Sequence, residues 1–361
     1  MKISFLIKDL SSGGTQRAAV SLANYFSLHG HDAEIIAFHG DESFYPLEEL
    51  VKVRSADFDD IKQNASLGRM LGAVKRILRI RKLVKSEKPD VLIGMSFSMT
   101  WYAVLASVFT RTKCVGTERS NPYSYKASKL NTFLRKFFYR FTDGYIFQTE
   151  KAAKFFRSKA SHKDAVIPNA IFNETVYTLS PPAERKKIIC AAGRLIRLKR
   201  FDILIDAFAE IADRIPDYRL FIFGEGEEKS ELENQIKYLG LSDRVILAGA
   251  DPNAVKFINY ACAFVLSSDL EGMPNALLEA MAMGVPCIST RCELGPEELI
   301  ENGVNGILTD VGNTEQLSNA MLTIIEKPDI AQKLSQNGRK LIKSHSIEAI
   351  SNQWLEFLRN V

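Results

Sequence analysis

The sequence of 361 residues lacks any long apolar run, and no stretch approaches the roughly 18 to 20 residues that a helix needs to cross a bilayer. The apolar start from Met1 to Ile7 gives way at once to Lys8 and Asp9, so we interpret it as a first buried strand rather than a signal peptide. Hydrophobic residues make up 46% and charged residues 25%, as in an ordinary globular enzyme. This length predicts two domains of roughly 150 to 200 residues each.

Cysteine is scarce and scattered, with no CxxC pair and no Cys/His cluster of metal-binding spacing. The five cysteines are Cys114, Cys190, Cys262, Cys287 and Cys292. This pattern argues against a zinc site and a disulfide framework, and we expect reduced thiols in a cytoplasmic protein. The five histidines also show no ligand spacing, so we expect them in turns or at the surface.

A GxGxxG fingerprint is missing as well. Neither the pair Gly13-Gly14 in the first βα loop nor the turn Gly224-Glu225-Gly226 has that spacing, which disfavours a dinucleotide-dependent oxidoreductase. Paired glycines let the backbone approach a ligand closely, and the helix that follows presents its first N–H groups to an anion. A tight turn with no ligand explains a Gly-Gly pair equally well, so this loop is weak support for a site.

The net charge of +4 is unevenly distributed along the chain. Residues 1–170 carry 27 Lys and Arg against 16 Asp and Glu, a balance of +11. Residues 171–361 carry 20 against 27, a balance of −7. The basic first half therefore predicts an anionic partner for that half of the protein.

Strand and helix patterns alternate along the chain, as in α/β proteins with parallel sheets and crossover helices. The candidate buried strands are residues 34–38, 91–94, 113–116, 144–147, 188–192, 219–223, 245–247, 263–266 and 286–289. We expect two doubly wound, Rossmann-like domains facing each other across a cleft. The predicted domains are residues 1–168 and 169–345, and the helical segment from about 346 to 361 is expected to pack back on the first domain.

A basic segment follows one predicted strand in the second half: residues 193–200 read GRLIRLKR. Four cations at a strand end would hold a diphosphate and offset the charge that it gains on leaving. Arg194, directly after Gly193, is the best candidate for a bidentate phosphate clamp, and Lys199 is second. We expect Arg197 and Arg200 to face solvent. A solvated basic loop is the alternative interpretation.

An acidic segment follows a later strand, where a Gly-Met-Pro turn lies between Glu271 and a helix that begins near Asn275. Glu279 is about one turn into that helix. One carboxylate would bond sugar hydroxyls and the other ribose hydroxyls, while the helix N-terminus between them points at phosphates. Two glutamates eight residues apart arise often by chance, but together with this turn they are harder to dismiss.

In order and spacing these segments resemble the bacterial retaining glycosyltransferases of the GT-B fold, family 4. The resemblance spans essentially the whole chain and includes the Gly13-Gly14 loop, the linker at 167–169, the basic segment, the turn at 224–226 and the two glutamates. It implies that Arg194 and Lys199 bind the diphosphate of a UDP-sugar, that Glu271 contacts the transferred sugar, and that Glu279 contacts the ribose. It further implies a phosphate site lined by Gly14, Gly193, Asn275, Ala276, Leu277 and Leu278.

One departure from the family pattern concerns catalysis. Many members carry a histidine in a first-domain loop that faces the sugar, whereas this chain has Arg119 in the segment TERSNP. Arg119 would bind an acceptor phosphate or the donor, with Glu118 orienting it; a surface ion pair of the two is the alternative. The resemblance also implies no metal and no cofactor, and we interpret Asp57-Phe58-Asp59-Asp60 as a solvated acidic loop that only imitates a metal-binding DxD motif.

The positive charge of the first half concentrates at residues 68–85 and 129–140. In the first segment Met70, Val74, Ile77 and Val84 follow helical spacing, and five cations lie elsewhere on the helix. These are Arg69, Lys75, Arg76, Arg79 and Lys82. A basic amphipathic helix suits an anionic membrane surface or a lipid-linked pyrophosphate, although an ordinary packed helix with a solvated side explains it too. No recognised nucleic-acid motif is present.

We therefore expect a cytoplasmic enzyme, peripheral on the inner face of a bacterial membrane, that extends a glycan on a polyprenyl pyrophosphate. The similarity to enzymes that add N-acetylgalactosamine, carried by the Gly-Gly loop and residues 40–45, suggests that sugar. Two rival interpretations are a nucleotide-sugar epimerase of the same fold, which would convert donor alone, and a non-catalytic partner subunit. The latter should have lost its donor-site charges, which are present here.

Overall fold

The computed structural model describes residues 1–11, 13–56, 66–123, 129–156 and 163–361, with the main chain alone for residues 66–71 and 163. The acidic segment Asp57-Phe58-Asp59-Asp60 and the side chains of Arg69 and Met70 lie outside what is described.

Strands and helices alternate along the described chain. Residues up to 172 contain β1 (Lys2–Asp9), α1 (Gly14–Leu28), β2 (Asp32–His39), β3 (Lys52–Ser55), α2 (Ser66–Glu87), β4 (Val91–Gly94), α3 (Phe97–Ser107), β5 (Lys113–Glu118), α4 (Lys129–Tyr139), β6 (Gly144–Phe147), α5 (Glu150–Phe156) and β7 (Lys163–Val166). Later residues contain α6 (Thr175–Thr178), β8 (Lys186–Ala192), α7 (Phe201–Ile211), β9 (Arg219–Phe223), α8 (Lys229–Tyr238), β10 (Val245–Gly249), α9 (Ala254–Ile258), β11 (Ala261–Leu266), α10 (Asn275–Ala282), β12 (Cys287–Thr290), α11 (Pro296–Leu299), β13 (Ile307–Thr309), α12 (Thr314–Glu326), α13 (Pro328–Gly338), α14 (Leu341–Ser344) and α15 (Ile347–Asn360).

The chain divides into two units, residues 1–172 with 347–361 and residues 173–346. The boundary predicted after residue 168 lies a few residues before this one. In the first unit seven parallel strands have the order β3-β2-β1-β4-β5-β6-β7, and in the second unit six have the order β10-β9-β8-β11-β12-β13. Each order reverses beside the unit's first strand, which is the doubly wound topology that the sequence predicted.

Three strands were not predicted, namely β3, β7 and β13. Each of them is an edge strand of its sheet. An edge strand has one neighbour and one side open to solvent, so it is short and carries few apolar residues. The strands that the sequence revealed lie mostly inside the sheets, where burial on both faces requires an uninterrupted apolar run.

The C-terminal helix α15 belongs to the core of the first unit. Trp354, Leu355 and Leu358 are buried there together with Phe26 of α1 and Phe5 of β1. Apolar residues at this spacing on one helix face explain why the segment packs against α1. The first unit therefore completes its core with residues from the far end of the sequence.

Candidate donor and acceptor sites

The basic and acidic segments of the second unit meet at one point of its sheet. Strand β8 ends at Ala192 and strand β11 ends at Leu266, and the two strands are hydrogen-bonded neighbours. Strand order reverses between them, and in open α/β sheets ligands bind beyond the carboxyl ends of strands at such a reversal. The loops at 193–200 and 267–274 both begin there.

The two loops are joined by main-chain and side-chain hydrogen bonds. The Asp269 N–H donates to the Leu198 carbonyl at 2.9 Å, and Ser267 Oγ donates to the Lys199 carbonyl at 2.8 Å. Arg200 takes a left-handed backbone conformation, with φ of 49°, and its guanidinium binds the carboxylate of Asp269 at 3.1 Å. The prediction that Arg200 faces solvent is therefore wrong: its charge holds the acidic loop against the basic loop.

Lys199 and Glu271 form the central contact between these loops. Lys199 Nζ lies 2.5 Å from Glu271 Oε1, and Ser268 Oγ donates to the same oxygen at 2.6 Å. Their side chains are only 19% and 11% exposed. A partly desolvated ion pair, with a second hydrogen bond from Ser268 to the same oxygen, holds both charged groups in one orientation.

Arg194 lies in a different environment from Lys199. Its side chain is exposed, and no hydrogen bond or ion pair joins that side chain to another residue of the described chain. Gly193 before it is tightly placed, because a β-carbon there would lie 3.3 Å from Cε of Lys199. Of these two cations, Lys199 is neutralised within the protein, whereas the charge of Arg194 is available to an external anion.

A turn that sequence reasoning assigned no role supports the Arg194 loop. Gly224 has a φ of +142°, and a β-carbon there would lie 1.9 Å from the Gly193 carbonyl oxygen. A β-carbon at Gly226 would lie 2.2 Å from the Leu195 carbonyl oxygen, and the Leu195 N–H donates to the Glu225 carbonyl at 2.9 Å. Only glycine permits this approach. The sequence signal that could have indicated this turn is the Gly-x-Gly pattern directly after a strand.

Helix α10 begins at Asn275, as predicted, directly after Pro274. The Leu278 N–H donates to the Pro274 carbonyl at 3.1 Å, so the N–H groups that face out of the first turn include those of Ala276 and Leu277 but not Leu278. The side chains of Leu277 and Leu278 are fully buried. Any contact that these two residues make with a ligand must therefore use the main chain.

The Gly-Met-Pro turn before α10 is held in place by the next loop of the sheet. Gly295 has a φ of +82°, and a β-carbon there would lie 1.9 Å from the Gly272 carbonyl oxygen. Thr290 Oγ1 and Cys292 Sγ donate to the Ser268 carbonyl at 2.6 and 3.0 Å. Sequence reasoning missed all three supports. A glycine before a proline, as in Gly295-Pro296, is the local signal that could have indicated Gly295.

Glu279 lies on the second turn of α10 and is buried, at 7% exposed. Glu271 belongs to the loop and Glu279 to the helix, as the spacing predicted, so the α10 N-terminus separates the two carboxylates along the chain. The positive end of a helix dipole between two carboxylates attracts an anion without a further side chain.

In the first unit, Gly14 is the first residue of α1 and is exposed. Asp9, at the end of β1, accepts hydrogen bonds from Ser11 Oγ at 2.6 Å and Gln16 Nε2 at 2.9 Å. Burial raises the pKa of Asp9, but these hydrogen bonds outweigh it, so the pKa is below its ordinary value. The carboxylate thus ties the loop before Gly14 to the first turn of the helix.

Arg119 follows β5 and is held by two amides. Its Nη2 donates to Asn169 Oδ1 at 2.6 Å. Gln148 Nε2 donates to the same Asn169 oxygen, so this second amide fixes the group that binds Arg119. Burial lowers the pKa of Arg119 to about 10, and the guanidinium stays protonated at neutral pH.

Glu118 does not pair with Arg119 at the surface, so that alternative is wrong. The Glu118 side chain is 1% exposed, and its carboxylate binds Arg135 of α4 at 3.3 Å. Glu118 is the last residue of β5, whereas Arg119 lies beyond the strand, and the two side chains have different partners. Burial raises the pKa of Glu118, and the charge of Arg135 offsets part of this effect. Glu118 thus holds α4, and Asn169 holds Arg119.

Two family models together match most of the chain. Residues 12–173 match the model described as Glycosyltransferase Family 4, and residues 179–341 match Glycosyl transferases group 1. The chain belongs to the family 4 glycosyltransferases. The two matched segments correspond to the two units of the structure.

Relatives of this glycosyltransferase align with nearly its whole length. It is 27% identical over 362 residues to the GalNAc-alpha-(1->4)-GalNAc-alpha-(1->3)-diNAcBac-PP-undecaprenol alpha-1,4-N-acetyl-D-galactosaminyltransferase of Campylobacter jejuni, with 100% of this chain and 99% of that protein covered. It is 29% identical over 354 residues to the lipopolysaccharide core biosynthesis glycosyltransferase LpsE of Rhizobium meliloti, with 96% of each covered. The solved structure of Anabaena HepE in complex with UDP-glucose covers 100% of both chains, with a TM-score of 0.81 and 21% identity. The fold is GT-B, as predicted.

The basic helix α2 of this glycosyltransferase differs in part from its predicted pattern. Val74, expected on the packed face, is 50% exposed, whereas Val84 is buried. Lys75 and Lys82 are exposed, but Arg79 is half-buried and donates to the Ala56 carbonyl at 3.3 Å. Arg76 is also half-buried. The predicted cationic face is therefore reduced, because two of its arginines lie against the protein.

The cysteines and the potential metal ligands in the described part of the enzyme do not form a disulfide or a metal-binding group. All five cysteines are free thiols, and burial raises the pKa of Cys114, Cys262 and Cys292 to about 12. Across the described ranges no three His, Cys, Asp or Glu residues form a group that could hold a metal ion. No described helix is both long and apolar enough to span a bilayer.

Proposed function

We propose that this glycosyltransferase transfers a sugar from a UDP-sugar to a hydroxyl of a polyprenyl-pyrophosphate-linked glycan, with retention of anomeric configuration. The observation that carries the proposal is the Lys199–Glu271 pair beside the exposed Arg194, at the point where strand order reverses. A diphosphate needs cations and a sugar needs hydrogen-bond acceptors. The two loops offer both types of group next to each other.

The donor diphosphate would be bound by Arg194, Lys199 and the first turn of α10. Arg194 supplies a guanidinium that can bind two phosphate oxygens at once. The N–H groups of Asn275, Ala276 and Leu277 add the positive end of the helix dipole. Gly193 leaves room for the phosphates, and the family resemblance adds Gly14 to the proposed phosphate-binding residues.

Glu271 would accept hydrogen bonds from the hydroxyls of the transferred sugar, and Glu279 from those of the ribose. Both roles need an ionised carboxylate in a fixed orientation. Glu271 has that orientation through Lys199 and Ser268. When a phosphate draws Lys199 away, the Glu271 oxygen that it held becomes available to the sugar, so binding of the two parts of the donor is coupled.

The proposed chemistry is a same-face substitution in which the leaving diphosphate accepts the proton of the attacking hydroxyl. The bond from the anomeric carbon to the diphosphate breaks as the bond to the acceptor oxygen forms on the same face. Two cations and a helix N-terminus stabilise the charge that develops on the diphosphate. We propose that the reaction needs no metal and no other cofactor.

The acceptor would bind to the first unit, residues 1–172 with α15. Arg119, charged and aimed by Asn169, would bind a phosphate of the acceptor or of the donor. The Campylobacter relative is named for a PP-undecaprenol-linked acceptor and for N-acetylgalactosamine, which makes both the first choice for testing. The proposed partner of α2 is an anionic membrane surface on the inner face of the cytoplasmic membrane, met by the exposed Lys75 and Lys82.

A donor screen read by mass spectrometry tests the proposal. The enzyme is incubated with UDP-sugars, with and without a polyprenyl-pyrophosphate-linked glycan, and we expect the acceptor mass to rise by one sugar with the UDP-sugar that fits. Conversion of donor in the absence of acceptor would instead indicate an epimerase. No product with any donor, together with no binding of UDP, would indicate a non-catalytic subunit and contradict the proposal.

A further inference from the structure

Helix α4 and the two residues that follow it expose a row of apolar side chains on the surface of the first unit. The row consists of Leu130, Phe133, Phe137 and Phe141, which are between 41% and 66% exposed. The rings touch each other, with centroids 5.9 Å apart for Phe133 and Phe137 and 4.9 Å apart for Phe137 and Phe141. Exposed phenylalanines in contact form one continuous patch, which a soluble surface rarely tolerates without a partner.

The loop after α3 adds to the same surface. Phe109 at its tip is 96% exposed and has a φ of 56°, a left-handed conformation that costs free energy in a bulky residue. Val108 beside it lines the same cavity as Phe141, of about 470 Å³. The loop is tied to α2, because Arg81 donates to the Val108 carbonyl. We call Phe109, Leu130, Phe133, Phe137 and Phe141 the aromatic face.

Cations border the aromatic face. Lys129, Lys136 and Arg140 of the α4 segment are exposed, as is Arg111 in the loop after α3. The nearby Asp143 is paired with Lys113 at 3.4 Å. Apolar rings bordered by cations match the interface of an anionic bilayer, where rings enter the acyl boundary and cations meet phosphates. A protein partner that covered the rings would have to supply acidic groups at several separate points.

We propose that the aromatic face is a membrane-insertion surface for an anionic phospholipid bilayer. On this view the rings of α4 and the loop after α3 anchor the enzyme, and the exposed lysines of α2 contribute long-range attraction. The inference rests on the proposed membrane partner but not on the proposed transfer reaction. In this proposal the aromatic face, rather than the half-buried Arg76 and Arg79, is the main membrane contact.

Flotation of the full chain with vesicles tests the surface directly. We expect binding to phosphatidylcholine vesicles that contain phosphatidylglycerol. The triple variant Phe133→Ser, Phe137→Ser and Phe141→Ser should bind at least about 30-fold more weakly, since each ring that leaves the acyl boundary weakens binding by roughly a factor of three to ten. Tyr238→Ser, which removes an exposed aromatic ring from the second unit, is the matched control and should bind as the wild type does.

Two further measurements separate the possible outcomes. A tryptophan introduced by Phe137→Trp should be quenched by brominated lipids, which does not depend on the triple variant folding normally. Equal vesicle binding by the wild type and a folded triple variant would overturn the proposal, and so would an absence of quenching. Self-association of the wild type through these rings, without vesicle binding, would overturn it as well. Transfer to a short-chain, water-soluble acceptor should stay within about twofold in the triple variant, because none of the three phenylalanines is among the residues proposed for chemistry. Failure of that transfer in the wild type would count against the proposed reaction and leave the membrane result to stand.

Discussion

Removing the two cations of the donor loop should give two different results, because one is paired within the protein and the other is not. The Glu271 side chain is only 11% exposed, and Lys199→Ala removes its counter-ion. Breaking a fully buried pair costs about 3 to 5 kcal/mol; partial exposure of this one reduces the estimate to about 2 kcal/mol. For a unit of this size that is a fall in Tm of roughly 4 to 8 °C. Arg194→Ala removes an exposed side chain and should change stability by less than about 0.5 kcal/mol.

Both variants should nevertheless lose turnover by at least roughly 100-fold, the effect of removing one charge-stabilising contact in a transition state. Thermal unfolding without donor, UDP binding by calorimetry and turnover with the identified UDP-sugar measure the three quantities separately. The double variant with Glu271→Gln should recover about 1 kcal/mol of the Lys199→Ala loss, because the buried charge is then gone. Equal stability losses in the two single variants would refute the difference in environment, and less than about a threefold loss of turnover in both would refute the diphosphate clamp.

Three more perturbations test the supports of the two sites. Gly295→Ala should cost roughly 3 kcal/mol and weaken UDP binding, since its β-carbon would press on the turn before α10; unchanged UDP affinity would contradict this support. Asn169→Ala should lower turnover roughly tenfold, and combined with Arg119→Ala it should add little, because both act through one guanidinium; fully additive losses would show that Asn169 acts elsewhere. Burial raises the pKa of Glu118 above 4.5, so its contribution to stability is fully present below that pH and is lost as pH rises through the folded-state pKa. The difference in the free energy of unfolding between Glu118→Gln and wild type, from urea titrations, should therefore shift in favour of the variant as pH rises, and a constant difference would show that Arg135 compensates the burial.

The interior strands could be predicted from sequence because the apolar run that marks each of them lies within its own segment. The bounds predicted for Val91–Gly94, Gly144–Phe147 and Arg219–Phe223 are those observed, since burial on both faces leaves a continuous apolar run between polar residues. The edge strand β10 has such a run and was predicted, but β3 and β7 lack one and β13 is only three residues long. Their pairing depends on neighbours that are distant in the sequence, so a pattern within one segment does not reveal them.

The candidate site was predictable as a set of parts but not as an arrangement. Lys199 and Glu271 were each identified from their own loop, but their ion pair joins residues 72 positions apart and depends on β8 lying beside β11. Gly224 and Gly295 support the loops because a carbonyl oxygen of a neighbouring loop lies where a β-carbon would stand. Such a close backbone approach cannot be read from the sequence. The role of Arg200 was also not predictable. Its segment suggested a solvated cation, but its guanidinium binds Asp269 of the acidic loop.

The position of α15 has a consequence for the order in which the protein can fold during synthesis. The core of the first unit includes Trp354, Leu355 and Leu358, so it stays incomplete after residues 1–172 have been made. The second unit has all of its strands by residue 309 and its own apolar core, so it can fold first. During translation, the N-terminal sheet therefore keeps an uncovered apolar surface beside α1 until α15 has been made.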